Sequence, residues 1–349
     1  MSDHDAILFV SFGGPEAPDE VMPFLERVVA GRNVPRERLE EVAEHYHHHG
    51  GRSPINDQNR ALIAALEPAL AAAGLDLPIH FGNRNSAPYL ADALRDADAA
   101  GHQRLLAFVT SAYSSWSGCR QYRENIAAAI DEAGVDVEVD KIRVFFNHPG
   151  FIDAQVERVR AARADLPADH ADAARIVFVT HAVPNSMARH SDYVAQHLET
   201  ARLVAERAGA TAGWDLVFCS RSGPPQVPWT GPDVNDHLRD LHEQGVPAVV
   251  LVPIGFLSDH MEVIHDLDVE ARETADTLGL ALVRAGTVGT HPRFVDAVVD
   301  LVRERVEGTE PQAVGTFGPW HDACPVDCCL TPGQDAPATV ASAPSRPRR

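Results

Sequence analysis

Eight short apolar, β-branched runs alternate with longer segments of helical period, and that alternation restricts the possible folds more than any other feature of the chain. The runs are AILFVSF from Ala6, IHFG from Ile79, LLAFVT from Leu105, VEVDKIRVFF from Val137, IVFVT from Ile176, WDLVFC from Trp214, AVVLVPIG from Ala248 and ALVRAG from Ala281. Segments such as QNRALIAALEPALAAAG and QYRENIAAAIDEAG lie between them. Strands separated by helices predict parallel sheets closed by crossover connections. Eight strands fit two four-stranded α/β units better than one sheet, so the expected units are residues 1–146 and 147–292, joined near NHPGFI. Residues 293–308 read as a final helix returning to the first unit, followed by a cysteine-bearing tail at 309–330. Residues 331–349, rich in Pro, Ala and Ser without apolar periodicity, are expected to be disordered.

The net charge of -20 excludes a nucleic-acid partner, because neutralising phosphates needs a basic surface. Of 30 basic residues only Lys141 is a lysine, so nearly every cationic contact to a carboxylate can be bidentate. The longest apolar stretch, Val246 to Leu257, contains Pro and Gly and falls short of the ~20 residues needed to cross hydrocarbon. MSDHDAILFVSFGG lacks the basic region of a secretory signal, so a cytoplasmic protein with at most peripheral membrane contact is expected. Five cysteines are an odd set for disulfides, and Cys324, Cys328 and Cys329 crowd into CPVDCC. Clustered thiols in a reducing compartment point to metal or redox chemistry.

FLSDHMEVIHDLDVE carries Glu262, Asp266 and Glu270 at successive i, i+4 positions. In a regular helix these carboxylates form one stripe about 12 Å long. Like charges so spaced weaken a helix, while a row of hard oxygens suits a divalent cation moving along it. The competing reading is a solvated acidic face. Position favours the first, since the stripe follows PAVVLVPIG, a buried-strand pattern, and ligands collect at strand carboxyl ends in open α/β sheets. IVFVTHAVP delivers His181 at another strand end, where a structural histidine and a metal ligand are both possible.

Other motifs say less alone. HYHHHGGRSP holds histidines 45 and 47–49 before Gly50 and Gly51, which suits a helix C-terminus better than a metal site. SFGGP at 11–15 lacks both the dinucleotide glycine pattern and a P-loop lysine. WSGCRQY places Cys119 and Tyr122 near a helix start, with Tyr122 either core or ligand-facing.

Taken in order, SFGGP, HHGGRSPIN around Ser53, THAVP at His181, SGPPQVPWTGPDV at 222–234 and PIGFLSDHMEVIHDLDVE resemble the ferrochelatases over residues 6–310. The resemblance implies two Rossmann-like, chelatase-type domains, each with a parallel four-stranded sheet, and a porphyrin cleft between them. It implies insertion of Fe2+ into the macrocycle as a step of heme biosynthesis. His181 and Glu262 would be the catalytic iron-site pair, with Asp266 and Glu270 extending an acidic path. Ser53, Tyr122 and Phe12 would contact porphyrin, and Arg32, Arg52 and Arg120 would offer cationic partners to its carboxylates. The cysteine-bearing tail resembles bacterial members that use coproporphyrin III, with protoporphyrin IX as the alternative. That branch implies a [2Fe–2S] cluster on Cys119, Cys324, Cys328 and Cys329, with Cys219 a buried spectator and zinc the competing occupant. A monomer is expected, with other heme-pathway enzymes as partners. A tetrapyrrole- or metal-binding protein without turnover, or a cobalt chelatase, would use the same cleft.

Overall fold

The computed structural model describes residues 4–32, 34–223, 226–331 and 333–343. Pro224 and Pro225 of the SGPPQVPWTGPDV motif, and residues 332 and 344–349 of the expected disordered end, lie outside these. The strands are β1 (Ala6–Ser11), β2 (Ile79–Asn83), β3 (Arg104–Val109), β4 (Glu138–Lys141), β5 (Arg175–His181), β6 (Trp214–Cys219), β7 (Ala248–Val252) and β8 (Ala281–Arg284). They form two all-parallel sheets of the same order, β2-β1-β3-β4 and β6-β5-β7-β8. The central strands β1 and β7 are buried on both faces, as their continuous apolar sequences require. In each sheet the order reverses beside the first strand of the unit, between β1 and β3 and between β5 and β7. Such a reversal leaves a crevice at the strand carboxyl ends.

The first unit carries α1 (Val21–Val28), α2 (Arg36–His48), α3 (Ile55–Ala72), α4 (Leu90–Ala99) and α5 (Gln121–Ala133). The second carries α6 (Pro149–Ala164), α7 (Asn185–Ala188), α8 (Tyr193–Ala208), α9 (Val234–Glu243), α10 (Met261–Ile264) and α11 (Ala271–Leu278). The last helix, α12 (Pro292–Val306), packs on both α3 and α6. One core runs through both units, uniting Leu62, Leu66 and Phe108 with Ala182, Phe218, Leu257 and Val298. A smaller cluster joins α1 and α2 to Met261, which puts these helices over the second unit's crevice.

Two expectations need correction. VEVDKIRVFF pairs as a strand only as far as Lys141. From Ile142 the chain leaves the sheet, Phe145 and Phe146 enter the core, and Arg143 forms a buried bidentate pair with Glu304 of α12 at 2.8 and 2.9 Å. The expected disorder of 331–349 also fails for residues 333–343. Ser342–Ala343 (β10) pairs in parallel with Cys324–Pro325 (β9), and the buried Arg123 guanidinium donates to the carbonyls of Val340 and Ala341 and to Ser342 Oγ. A buried cation meeting backbone acceptors orders a segment too polar to hold itself by apolar packing.

Candidate active site

His181 ends β5, and Glu262 lies in α10 after the loop that leaves β7, so both stand at the second unit's reversal point. His181 Nε2 lies 3.7 Å from Glu262 Oε1. The other ring nitrogen, Nδ1, is 2.5 Å from the Ala182 carbonyl, which can only accept; Nδ1 therefore carries a proton, and the neutral form of the ring keeps its Nε2 lone pair toward the carboxylate. Two acceptors face one another across a gap that suits a proton or a cation. Behind His181, Tyr193 donates to its backbone carbonyl at 3.0 Å and meets Thr180 Oγ1 at 2.7 Å. Thr180 Oγ1 also meets His197 Nε2 at 2.9 Å, and Tyr113 of the first unit stacks on that ring at 3.5 Å. Burial holds His197 at about 3, so it stays neutral. Gly255 permits this packing, because a Cβ there would strike Thr180.

His260, absent from the expected set, bonds Glu262 Oε2 through Nδ1 at 2.7 Å. Burial opposes ionisation of Glu262, but the charge and hydrogen bond of His260, joined by His181 when that ring is protonated, outweigh it and hold the carboxyl at about 2. Burial likewise opposes protonation of His260, and Glu262 reverses the sign and raises its value. The HxE spacing in SDHME was the available signal: an extended residue at His260 places residues two apart on one side.

The regular acidic helix expected over 262–270 is interrupted. Asp266–Glu270 form a π turn between α10 and α11, a distortion common at functional positions. The carboxylates therefore have separate partners. Asp266 bonds Ser220 Oγ, while Glu270 lies 3.6 Å from His265 Nε2. Burial pushes Asp266 up to about 7, the Ser220 bond opposes this, and the charges of Glu262 and Glu270 add to it. Ser220 itself sits at φ 61, a strained conformation for a residue with a Cβ. Burial also raises Glu270. The histidines of α2 do more than end a helix: His45 stacks on His265 at 3.9 Å and His49 meets it edge-on.

A cavity of about 460 Å3 opens on the first unit, lined by Arg27, Arg32, Arg84, Trp116, Gln121 and Asn125 among others. Arg84, also missed in the sequence, lies over the rings of Tyr122 at 4.5 Å and Phe12 at 5.5 Å and donates to Asn125 Oδ1 at 2.6 Å. Arg32 stands over Trp116, and Arg27 over Tyr89. None of the three arginines forms a salt bridge among the described residues, which leaves their charge for an anion. Phe12 also packs edge-on against Phe24. Ser53 is buried beneath the turn after β1, its amide donating to Pro15 O and its side chain against Gly14.

Two of the expected arginines are engaged elsewhere. Arg120 is buried, paired with Glu124 at 2.6 Å, and donates to the carbonyls of Val326 and Cys328, so it serves the tail. Arg52 is half-exposed and pairs with Asp57 at 2.5 Å. Cys119, Cys324, Cys328 and Cys329 are free thiols that gather in sequence of contact: Cys119 meets Cys324, Cys324 meets Cys328, and Cys328 Sγ is 3.6 Å from Cys329 Sγ. Cys219 is buried at the end of β6 beside Ser220, near the acidic pair.

Two alike parallel sheets with an imidazole–carboxylate pair where their cleft opens define a chelatase-type α/β protein. The same fold occurs in SirB from Bacillus subtilis, solved with Fe3+, at a TM-score of 0.52 and 14% identity over 88% of this chain and 98% of that one. The siroheme-pathway enzyme CbiX gives a TM-score of 0.50 at 16% identity, covering 86% of this chain and 99% of that one. The ferrochelatase family profile matches residues 4–306, and the chain belongs to the ferrochelatase family of lyases. It is 53% identical to a coproporphyrin III ferrochelatase of Streptomyces coelicolor, covering 94% of each chain. It is 52% identical to a ferrochelatase of Rhodopirellula baltica, covering 95% of this chain and 94% of that one.

Proposed function

We propose that the protein inserts Fe2+ into coproporphyrin III, with His181 and Glu262 as the groups that meet the iron and the departing pyrrole protons. The observation that carries this reading is the 3.7 Å approach of the His181 Nε2 lone pair to an ionised Glu262. Metallation exchanges two N–H protons for one divalent cation, so the site must both attract a cation and accept protons. A charged Glu262 does the first. His181 Nε2 can accept a proton, and the Asp266 carboxylate, pushed up to about 7, is an acceptor whose strength suits neutral pH. Glu270 continues the anionic path away from the pair.

The cavity supports the substrate assignment. Arg27, Arg32 and Arg84 give it a positive lining in a chain of net charge -20, and a porphyrin with four carboxylates gains more from that lining than one with two. Trp116 in the cavity lining and the partly exposed Phe12 offer flat apolar surface for the macrocycle, while Tyr122 is buried behind Arg84. The high similarity to enzymes named for coproporphyrin III adds weight. The reading extends to a cytoplasmic monomer.

The tail also suits a [2Fe–2S] cluster held by thiolates from the set Cys119, Cys324, Cys328 and Cys329. The four thiols already touch in series; contact with Cys324 and burial push the Cys119 thiol well up against the opposing charges of Lys141 and Arg123, so a bound metal would displace its proton. Such a cluster would cross-link the tail to α5's leading turn, and no part of the insertion chemistry depends on it.

Anaerobic incubation of catalytic amounts of protein with Fe2+ and either porphyrin tests the assignment through loss of free-base fluorescence. The expected result is turnover with a higher kcat/KM for coproporphyrin III. A higher value for protoporphyrin IX would overturn the substrate, and stoichiometric quenching without turnover would overturn the enzyme.

A further inference from the structure

Arg284 is the last residue of β8, so its side chain leaves the second sheet at the same carboxyl rim as His181. Its Nε and Nη2 donate to the two oxygens of Asp268 at 2.5 and 2.8 Å. Its Nη1 reaches Asp259 Oδ1 at 3.3 Å and the carbonyl of Ala285 at 3.2 Å. Asp268 lies inside the π turn, and Asp259 immediately precedes His260. One guanidinium therefore holds both ends of residues 259–268, the segment that carries His260, Glu262 and Asp266. Such a pairing on an open surface is worth little, but the Arg284 side chain is only 16% exposed and its fork engages one carboxylate in two parallel bonds.

The segment needs this hold. α10 is a single turn, too short to be stable alone, and the π turn after it uses wider bonds, with Glu270 N donating to His265 O at 3.0 Å. Burial of Met261, Val263 and Leu267 fixes its apolar side. Its polar side is gripped twice, Asp266 by Ser220 and Asp268 by Arg284. Asp259 carries the grip across to the first unit: its amide donates to Gln58 Oε1 of α3 at 2.8 Å, and its Oδ2 accepts from Gln58 Nε2 at 3.4 Å. Gln58, Asp259, Arg284 and Asp268 thus form one chain of contacts from α3 to the π turn.

We infer that Arg284 is a positioning residue of the iron site, setting where Glu262 stands opposite His181 by fixing both ends of its segment, with Gln58 referring that position to the first unit. This rests on the reading of Glu262 as a group that meets the iron. Arg284 acts through its two carboxylates, and what it governs is the alignment in which Fe2+ and the pyrrole nitrogens meet. Misplacing a reacting group by about 1 Å can cost about 10²-fold in rate.

The test compares Arg284→Met, Arg284→Lys and Asp268→Asn in the full chain, with Fe2+ and coproporphyrin III as substrates. The imidazole signals of 15N-histidine-labelled protein supply a readout that needs no turnover. Arg284→Met should lower kcat/KM for Fe2+ by about 10- to 100-fold while the porphyrin Kd stays within about twofold. It should also shift the signals of His260 and His181, whose nitrogens face Glu262. Arg284→Lys, an ammonium that reaches one carboxylate at a time, should recover part of both the rate and the signals. Asp268→Asn should lose less than Arg284→Met, and adding it to Arg284→Met should cost nothing more, because both remove the same contact. Unmoved histidine signals in Arg284→Met, or a rate within about twofold of the parent, would overturn the inference. A loss of rate matched by equal losses of porphyrin affinity and Tm, and not relieved in Arg284→Lys, would overturn it as well, since that pattern marks general loss of structure. Shifted histidine signals beside a parent that metallates no porphyrin would support the positioning role and overturn the iron-insertion reading instead.

Discussion

The two units repeat one strand order, so each has a reversal point with a crevice above it, yet the chain furnishes the two crevices in opposite ways. Above β1, amide and hydroxyl groups bond one another, with one carboxylate, Glu16, already paired with Arg60. Asn56 Nδ2 donates to Gly14 O and Glu16 Oε1, Asn83 donates to Asn56 Oδ1, and the Gly14 amide donates to Ser86 Oγ. Above β5 and β7, ionisable groups oppose one another: the His181–Glu262–His260 series, and Asp266 pushed up to about 7. An amide network whose donors are bonded throughout stabilises and shapes, even with the Asn83 Oδ1 acceptor left over. Unmatched charge invites a cation or a proton. In the proposed reading one fold supplies a rigid wall above β1 and a reactive wall above β5 and β7, and substitutions should separate the two as loss of stability and loss of turnover.

The largest effect is expected at the reactive wall. His181→Ala and Glu262→Gln should each lower kcat by about 10²–10⁴-fold, the usual cost of losing a proton-transfer group. Porphyrin binding, followed by fluorescence titration, should change little, because the aromatic and arginine lining is untouched. Near-parental turnover in either variant would dissolve the contrast between the walls.

At the rigid wall Gly13→Ala is the sharpest test. Gly13 has φ +83, and a Cβ would come within 2.5 Å of Ser86 Oγ and 2.9 Å of Asn83 Cβ. The strain should cost about 1–3 kcal/mol and appear as a lower Tm. Folded protein should retain kcat, and a collapse of kcat at unchanged Tm would place chemistry in this wall too.

Asp266 gives the reactive wall its pH dependence. As a proton acceptor it must be ionised, so kcat should rise with pH up to about 7 and level above, and Asp266→Asn should flatten that limb. Stability runs the other way. The folded chain keeps this proton to about pH 7 while the free side chain loses it near 3.8, so the native state binds more protons in that window. Stability should therefore fall as pH rises from about 4 to about 7, and less so in Asp266→Asn. Glu262 titrates beside it, so the measured values belong to the pair. An unchanged limb in the variant would assign the titration to another group.

Periodicity exposed all eight strands because buried parallel strands are apolar runs, and it placed His181 and the acidic segment at strand ends. The π turn at Asp266–Glu270 was invisible, since one inserted residue leaves i, i+4 spacing intact on paper. The order in residues 333–343 was hidden for a related reason: it depends on Arg123, some 200 positions away, and a local reading of Pro and Ser content cannot register a distant buried cation. Arginine roles were the least legible. Arg120 sits beside Tyr122 in sequence yet points to the tail, and Arg84 gave no pattern until its two aromatic partners converged.

That difference among arginines yields the smallest expected effect and the finest test of the rigid wall's part in recognition. Arg84 lies in the cavity lining on the face of Tyr122 and donates to the neutral Asn125 carbonyl and Tyr122 hydroxyl, so its charge remains for a substrate carboxylate. Arg84→Ala should raise KM for coproporphyrin III several-fold, about 1 kcal/mol for one partly solvated charge pair, with a smaller change for protoporphyrin IX. Arg52 is half-exposed and already paired with Asp57, an arrangement worth little in water. Arg52→Ala should leave KM for both porphyrins within about twofold and Tm nearly unchanged. If Arg52→Ala instead weakens coproporphyrin III binding more than Arg84→Ala does, the carboxylates sit nearer α3 than the cavity, and the recognition role of the first wall moves from the Arg84 side to the Ser53 turn.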